Sequence, residues 1–148
     1  MDAASNKIAI RKALAAYGAG DLAPLLALLH DDVVWTAHAL EGHYRFGGRH
    51  VGRASVVAAL SMIAADYAIN AYVVEEITAE GDIVWAANVV HVTERRLGGE
   101  PFPVKLANRW RFRDGKIISV DEYFDTAGAL CEEGRVPASV PRSAALTG

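Results

Sequence analysis

Two polar residues, Asn108 and Glu122, stand on strand faces that are otherwise mostly apolar. They flank Asp114-Gly115, a pair suited to a tight hairpin because glycine accepts a positive φ and aspartate tolerates one. Before the turn, Leu106, Asn108, Trp110 and Phe112 alternate with Ala107, Arg109, Arg111 and Arg113. After it, Ile118, Val120, Glu122 and Phe124 alternate with Ile117, Ser119, Asp121 and Tyr123. A carboxylate on an apolar face is costly unless it has a partner or a task. The task would be acid/base work by a carboxyl whose pKa burial raises. The plainer alternative is a structural ion pair, with Arg95 as the candidate cation. Strand parity makes the choice of carboxylate an either/or: a shift of one residue would put Asp121 inward and Glu122 in solvent.

His91 is the second candidate for moving a proton near neutral pH. It shares a face with Trp85, Ala87, Val89, Thr93 and Arg95, and that face is expected to be the inner one. Arg95, near the end of the same strand, would bind a carboxylate or hold Glu122 ionised. Asn108 has no reason to sit on an apolar face except hydrogen bonding. Tyr17, Trp35, Trp110, Val120 and Phe124 are the expected walls of a binding cavity, with plain core packing as the alternative for the tryptophans. His38, His43 and His50 lie in a glycine-punctuated stretch without the spacing of a metal site, so no metal is expected. The chain has no phosphate-cradling glycine loop and no dinucleotide fingerprint, so no cofactor is expected either.

The elements that must position these groups follow from the order of the chain. Ser5 is expected to cap a helix from about Asn6 to Tyr17, with Ile10, Leu14 and Tyr17 on one face. Gly18-Ala19-Gly20 stops it. Asp21 caps a second helix with Pro24 in its first turn. Val33 to Ala37 is a strand, and His43 to Phe46 a brief strand or a flap. Gly52-Arg53-Ala54-Ser55 opens a third helix on which Val56, Leu60, Ile63 and Tyr67 repeat at helical spacing. Strands are expected over Asn70–Ala79, Ile83–Arg96, a stretch ending at Arg113, and one ending near Asp125. A short helix follows, and Gly134 to Gly148 reads as a loose tail after a domain spanning residues 1–133. Helices first and an antiparallel meander last make an α+β layout, with helices across the open side of a bent sheet. Such a sheet encloses a conical cavity, a usual place for a ligand.

Several stretches resemble one known group of proteins. Gly-Asp-Leu after the first helix, Leu-His-Asp-Asp-Val-Val-Trp, Gly-Arg-Ala-Ser, and Phe-Arg-Asp-Gly-Lys-Ile…Glu-Tyr-Phe-Asp are similar to the SnoaL-like group of the nuclear transport factor 2-like superfamily. The likeness runs to about residue 130. It implies a cone-shaped, cystatin-like α+β barrel: a curved mixed or antiparallel sheet whose concave face is covered by three helices of the N-terminal half. It also implies a cavity for a small apolar organic molecule and, often, a homodimer formed across the outer sheet face. The superfamily holds isomerases, cyclases, dehydratases, hydrolases and non-catalytic binders, so fold alone does not choose among them. The position matching the base of ketosteroid isomerases is Ala37, and their oxyanion-binding Asp matches Asn108. Their helix-one Tyr falls at Ala13, one turn before Tyr17. Against limonene-type epoxide hydrolases, Arg95 and Glu122 match, but Leu97 stands where a carboxylate should. Polyketide cyclases of the SnoaL type need only a shaped pocket and one acid/base group, for which Glu122 or His91 would serve. The expected function is cofactor-independent acid/base chemistry of one of these kinds; the alternative is a non-catalytic ligand-binding or dimerisation module.

Size and charge agree with this. The 148 residues, 52% of them hydrophobic, can bury one sizeable core. A net charge of −3 argues against a nucleic-acid surface. Cys131 is the single cysteine, which excludes an internal disulfide. No apolar run approaches the roughly 20 residues that span a bilayer, and no leader pattern opens the chain, so a cytoplasmic, membrane-free protein is expected.

Overall fold

A computed structural model describes residues 2–40 and 42–135; most of the expected C-terminal tail lies outside these. Helix α1, Ala3–Gly18, begins at Asp2 rather than at Ser5: the Ser5 amide donates to Asp2 Oδ1 at 2.8 Å, so Ser5 sits inside the first turn. Ile10, Ala13 and Leu14 are buried on its inner face. Helix α2, Ala23–Leu28, carries Pro24 in its first turn, and Asp21 Oδ1 accepts from the Ala23 amide at 3.0 Å. Strand β1, Leu29–His38, follows directly.

The stretch around His43 to Phe46 is a pair of turns, not a strand. It still buries Tyr44 and Phe46, which pack on one another and on Phe124. The short strand expected there lies just beyond, as β2, Gly48–Val51, paired antiparallel to β1. Helix α3, Arg53–Asp66, stops one residue earlier than its periodicity suggests, and Tyr67 opens strand β3, Tyr67–Glu80. Strands β4, Ile83–Glu94, β5, Phe102–Arg113, and β6, Lys116–Phe124, complete the sheet, and α4, Thr126–Glu132, follows. The β5–β6 turn has φ of 50° at Asp114 and 76° at Gly115, the two positive values that a two-residue connection needs.

The six strands lie in the order β2-β1-β6-β5-β4-β3. Only β1 and β6 are parallel, so the sheet is mixed. Register shifts occur within β1, twice in β3, and beside Arg111 and Phe112. Each extra residue bends its strand and increases the local twist, which curves the sheet toward the helices. The last of these shifts also corrects one expected orientation. Phe112 pairs with Ile117 and Arg111 with Ser119, leaving Ile118 as the extra residue. Ile117 is therefore the buried residue and Ile118 is not, whereas Val120, Glu122 and Phe124 keep the inward direction. This is an α+β fold, with helices on one side of a curved open sheet. Among the described residues, no helix is long and apolar enough to cross a membrane.

Helix α1 meets the sheet at Gly18. A Cβ built there would stand 2.8 Å from Tyr72 Cβ on β3, closer than two carbons can approach. Gly18→Ala should therefore lower unfolding free energy by about 1–3 kcal/mol through overpacking. A urea midpoint indistinguishable from wild type would mean that helix and strand separate without strain.

Candidate functional site

The concave face of the sheet and the helices enclose about 120 Å³ of space open to the centre of a water molecule, enough for several waters or part of a small organic molecule. Its walls are mainly aliphatic and aromatic: Leu14, Leu60, Ile63, Val90, Leu106, Trp110 and others. Tyr17, Trp35, Trp110, Val120 and Phe124 all line it. Trp35 is steadied from behind by His50, whose ring stacks on it at 5.4 Å between centroids.

One polar cluster breaks this wall. Glu122, on the central strand β6, pairs across to Asn108 on β5 and beside Ala37 on β1. Asn108 is 1% exposed, and its Nδ2 donates to Glu122 Oε2 at 2.9 Å. Asn108 Oδ1 accepts from Asn88 Nδ2 at 2.9 Å and, more distantly, from the Tyr72 hydroxyl at 3.4 Å. Tyr17 packs edge-on against Tyr72 at 5.7 Å and brings its hydroxyl to the same cavity. Burial pushes the Glu122 carboxyl up to about 7, and the Asn108 hydrogen bond offsets only part of that rise. The residue keeps some accessible surface, on the side where it lines the cavity. Burial, and then the nearby Glu122 charge, raise both the Tyr17 and Tyr72 phenols, so both remain protonated donors at neutral pH. The expected ion pair between Glu122 and Arg95 is not formed.

A second carboxylate closes the cavity from the C-terminal side. Glu133, just past α4, accepts from the Tyr67 hydroxyl at 2.5 Å and pairs with Arg135 at 3.2 Å. Arg135 also donates to the His43 carbonyl at 2.5 Å, tying this segment to the turns around Tyr44. Glu133 is thus hydrogen-bonded on Oε1, while Oε2 faces the Arg135 cation without a hydrogen bond of its own. Among the described residues, no three His, Cys, Asp or Glu side chains come together as metal ligands would.

Two expected site residues lie elsewhere. His91 is on the outer face of β4, paired with Ala71 and Pro103, and does not line the cavity. The inward set on this strand is Val84, Ala86, Asn88, Val90, Val92 and Glu94. The inner alternation is the more apolar of the two, and Trp85 on the outer one blurs the contrast between them. Arg95 follows the end of β4, where its Nε donates to the Ala64 carbonyl at 2.9 Å, fastening the strand end to α3 instead of reaching the cavity. Leu97 is exposed, and the adjacent Glu94 accepts from the Arg96 and Leu97 amides, so this turn is structural. Asn88, Tyr72 and Glu133 escaped the sequence reading. For Asn88 a signal existed: it is the one polar residue between Ala86 and Val90 on the apolar alternation.

The Asp121 alternative is settled by geometry. Asp121 faces outward, between His38 Nε2 at 2.9 Å and Arg109 at 2.5 Å. His38 stacks on Tyr123 at 4.3 Å, and Trp85 flanks Tyr123 on the other side.

The sequence pattern of the SnoaL-like domain matches residues 10–120. No curated protein matches the chain. Among solved structures, a nuclear transport factor 2-like protein from Burkholderia pseudomallei is 26% identical with a TM-score of 0.72, over 84% of this chain and 94% of that one. TerC, crystallised with polyporic acid, is also 26% identical with a TM-score of 0.70, over 82% and 92%. A nuclear transport factor 2-like protein from Burkholderia xenovorans LB400 is 24% identical with a TM-score of 0.68, over 86% and 94%. With a matched pattern over most of its length and a fold of the same kind, the chain belongs to the SnoaL-like domain family within the nuclear transport factor 2-like superfamily.

Proposed function

We propose that the cavity binds a small, mostly apolar organic molecule and that Glu122 moves a proton at a carbon beside its carbonyl group. The observation that carries this reading is the state of Glu122. It is a carboxyl with no cationic partner among the described residues, in a mostly apolar cavity, tied on one oxygen by Asn108 and poised to titrate at about 7. Such a group serves as a base when ionised and as an acid when protonated, with both forms populated near neutrality. The Tyr17 hydroxyl supplies a protonated donor toward the oxygen on which negative charge would develop. Hydrolysis of the epoxide type asks for two carboxylates, and the other one on the cavity wall, Glu133, is occupied by Tyr67 and Arg135. The balance therefore favours isomerase- or cyclase-type chemistry. TerC, a 26% identical relative, was crystallised with polyporic acid, which agrees with an organic ligand. A purely binding role is the reading that takes over if Glu122 proves inert.

The same proposal extends to assembly. Val73, Trp85 and Tyr123 are 48%, 41% and 42% exposed on the outer sheet face, an apolar patch that a second copy of the chain would cover. Light scattering should give twice the 15.8 kDa chain mass, and Trp85→Glu should return the protein to monomer. A wild-type monomer at 50 µM would remove the dimer from the proposal.

The chemistry is tested with 2-tetralone in D2O, following loss of its α-proton signals by NMR. Wild type should accelerate exchange, with a rate that rises with pH to a plateau above about 7, because the base must be ionised. Glu122→Gln should cost roughly a hundredfold or more. Equal rates in wild type and variant would leave the binding role. Stability gives an independent check. The unfolded state loses its Glu122 proton near the ordinary value of about 4.3, while the native state holds it to about 7. The contribution of Glu122 to native stability is therefore greatest below the lower value, falls between the two, and is gone above the higher one. The loss attributable to Glu122 is on the order of 3 kcal/mol between pH 4 and pH 8, and Glu122→Gln should abolish that component in urea titrations.

A further inference from the structure

We propose that Asn88 is a positioning residue that fixes which end of the Asn108 amide meets Glu122, and so sets the acid/base character of that carboxyl. The inference rests on the reading of Glu122 as the proton-moving group and deepens it. Three amide and carboxyl side chains stand in a row on adjacent strands. Asn88 on β4 donates through Nδ2 to Asn108 Oδ1 on β5 at 2.9 Å, and Asn108 donates through Nδ2 to Glu122 Oε2 on β6 at 2.9 Å. Asn88 and Asn108 are both nearly fully buried.

An amide has a direction. One end donates and the other accepts. If Asn108 were reversed, its carbonyl would face Glu122, and only a protonated carboxyl could then bond to it. The observed direction presents N–H and favours the ionised form. What holds Asn108 in that direction is the donor behind it. Asn88 in turn cannot reverse at low cost. Its Nδ2 also points at the Ala86 carbonyl at 3.4 Å, and a reversed amide would set its oxygen against both that carbonyl and Asn108 Oδ1. The arrangement carries its own cost, because Asn88 Oδ1 is buried without a partner among the described residues. A buried acceptor left unpaired is unfavourable, and a hydrophobic residue of the same shape would avoid the penalty.

The other groups that reach this row are few. Tyr72 on β3 donates to the same Asn108 oxygen, but at 3.4 Å, and Tyr17 on α1 faces Glu122 as a protonated phenol. Neither phenol is charged near neutral pH, and no cation contacts Glu122 among the described residues. The direction of the Asn108 amide is thus the main local influence that opposes burial.

The experiment follows the Glu122 carboxyl carbon by NMR through a pH titration, with Glu122→Gln identifying the resonance. Asn88→Leu, neutral and of similar shape, should raise the Glu122 midpoint by about one unit, a tenfold weaker acid. The plateau of the tetralone exchange profile should move by the same amount. An unchanged midpoint in Asn88→Leu, with a wild-type midpoint near 7, would overturn the role of Asn88 and leave Glu122 as the base. A wild-type midpoint near 4.3 would instead remove the reading of Glu122 itself. If Tyr72→Phe gives the shift and Asn88→Leu does not, the amide is held from β3 and the proposal is wrong. Should Asn88→Leu not fold, wild type still decides. The side-chain amide protons of both Asn108 and Asn88 should titrate with the Glu122 midpoint, and a silent Asn88 amide would overturn the relay.

Discussion

The structure turns on keeping one carboxyl, that of Glu122, out of water. Burying an ionised carboxylate without a matching cation is among the costliest things a fold can do, and the group responds by holding its proton more tightly. A single hydrogen bond from Asn108 is not enough to reverse that response. An arginine in its place would have reversed it and left a permanently charged, catalytically idle pair. Among the described residues no such cation contacts Glu122; Arg135 pairs instead with Glu133. The two carboxyls on the wall thus divide into one that faces a cation and one that does not.

Aiming that carboxyl is the work of the sheet. Glu122 sits on β6, with β1 parallel on one side and β5 antiparallel on the other, so its backbone is fixed from both edges. Its neighbour on β1 is Ala37, buried and small, which leaves room for the side chain and for a ligand beside it. The bulge at Ile118 lets β6 begin with Ile117 inward and still present Val120, Glu122 and Phe124 to the cavity. Without the extra residue, burying Ile117 and burying Val120 would be incompatible on a strictly alternating strand. Helix α1 closes the space above by packing at Gly18 against Tyr72, which sets Tyr17 edge-on against Tyr72 beside Asn108 and Glu122.

Much of this was legible in the residues. The Asp114-Gly115 turn, the inward direction of Asn108 and Glu122, and the helix–strand order follow from periodicity and turn chemistry, which are local. The failures were of two kinds. On β4 both alternations carry apolar residues, Trp85 and Val89 beside His91 on the outer one and Val84, Val90 and Val92 on the inner one, and a partly apolar outer face removes the contrast on which parity depends. Arg95 was given a partner across the cavity, but a residue at a strand end bonds to whatever carbonyl the next element offers, here Ala64 on α3. Glu133 and Tyr67 meet across 66 positions of sequence, and no local pattern announces such a pair.

Adjacent residues on β6 show how far environment, not residue type, decides chemistry. Asp121 and Glu122 both carry carboxyl groups on consecutive residues, and the pleat sends them to opposite faces. Asp121 also loses hydration, but His38 and Arg109 outweigh that loss and hold it below the usual carboxylate range. It is locked as an anion among exposed aromatic rings. Glu122 meets only an amide and two phenols, and it rises toward neutrality. The outer carboxylate can therefore organise a surface but cannot exchange a proton near pH 7. The inner one can exchange a proton, and its surroundings leave it little else to do.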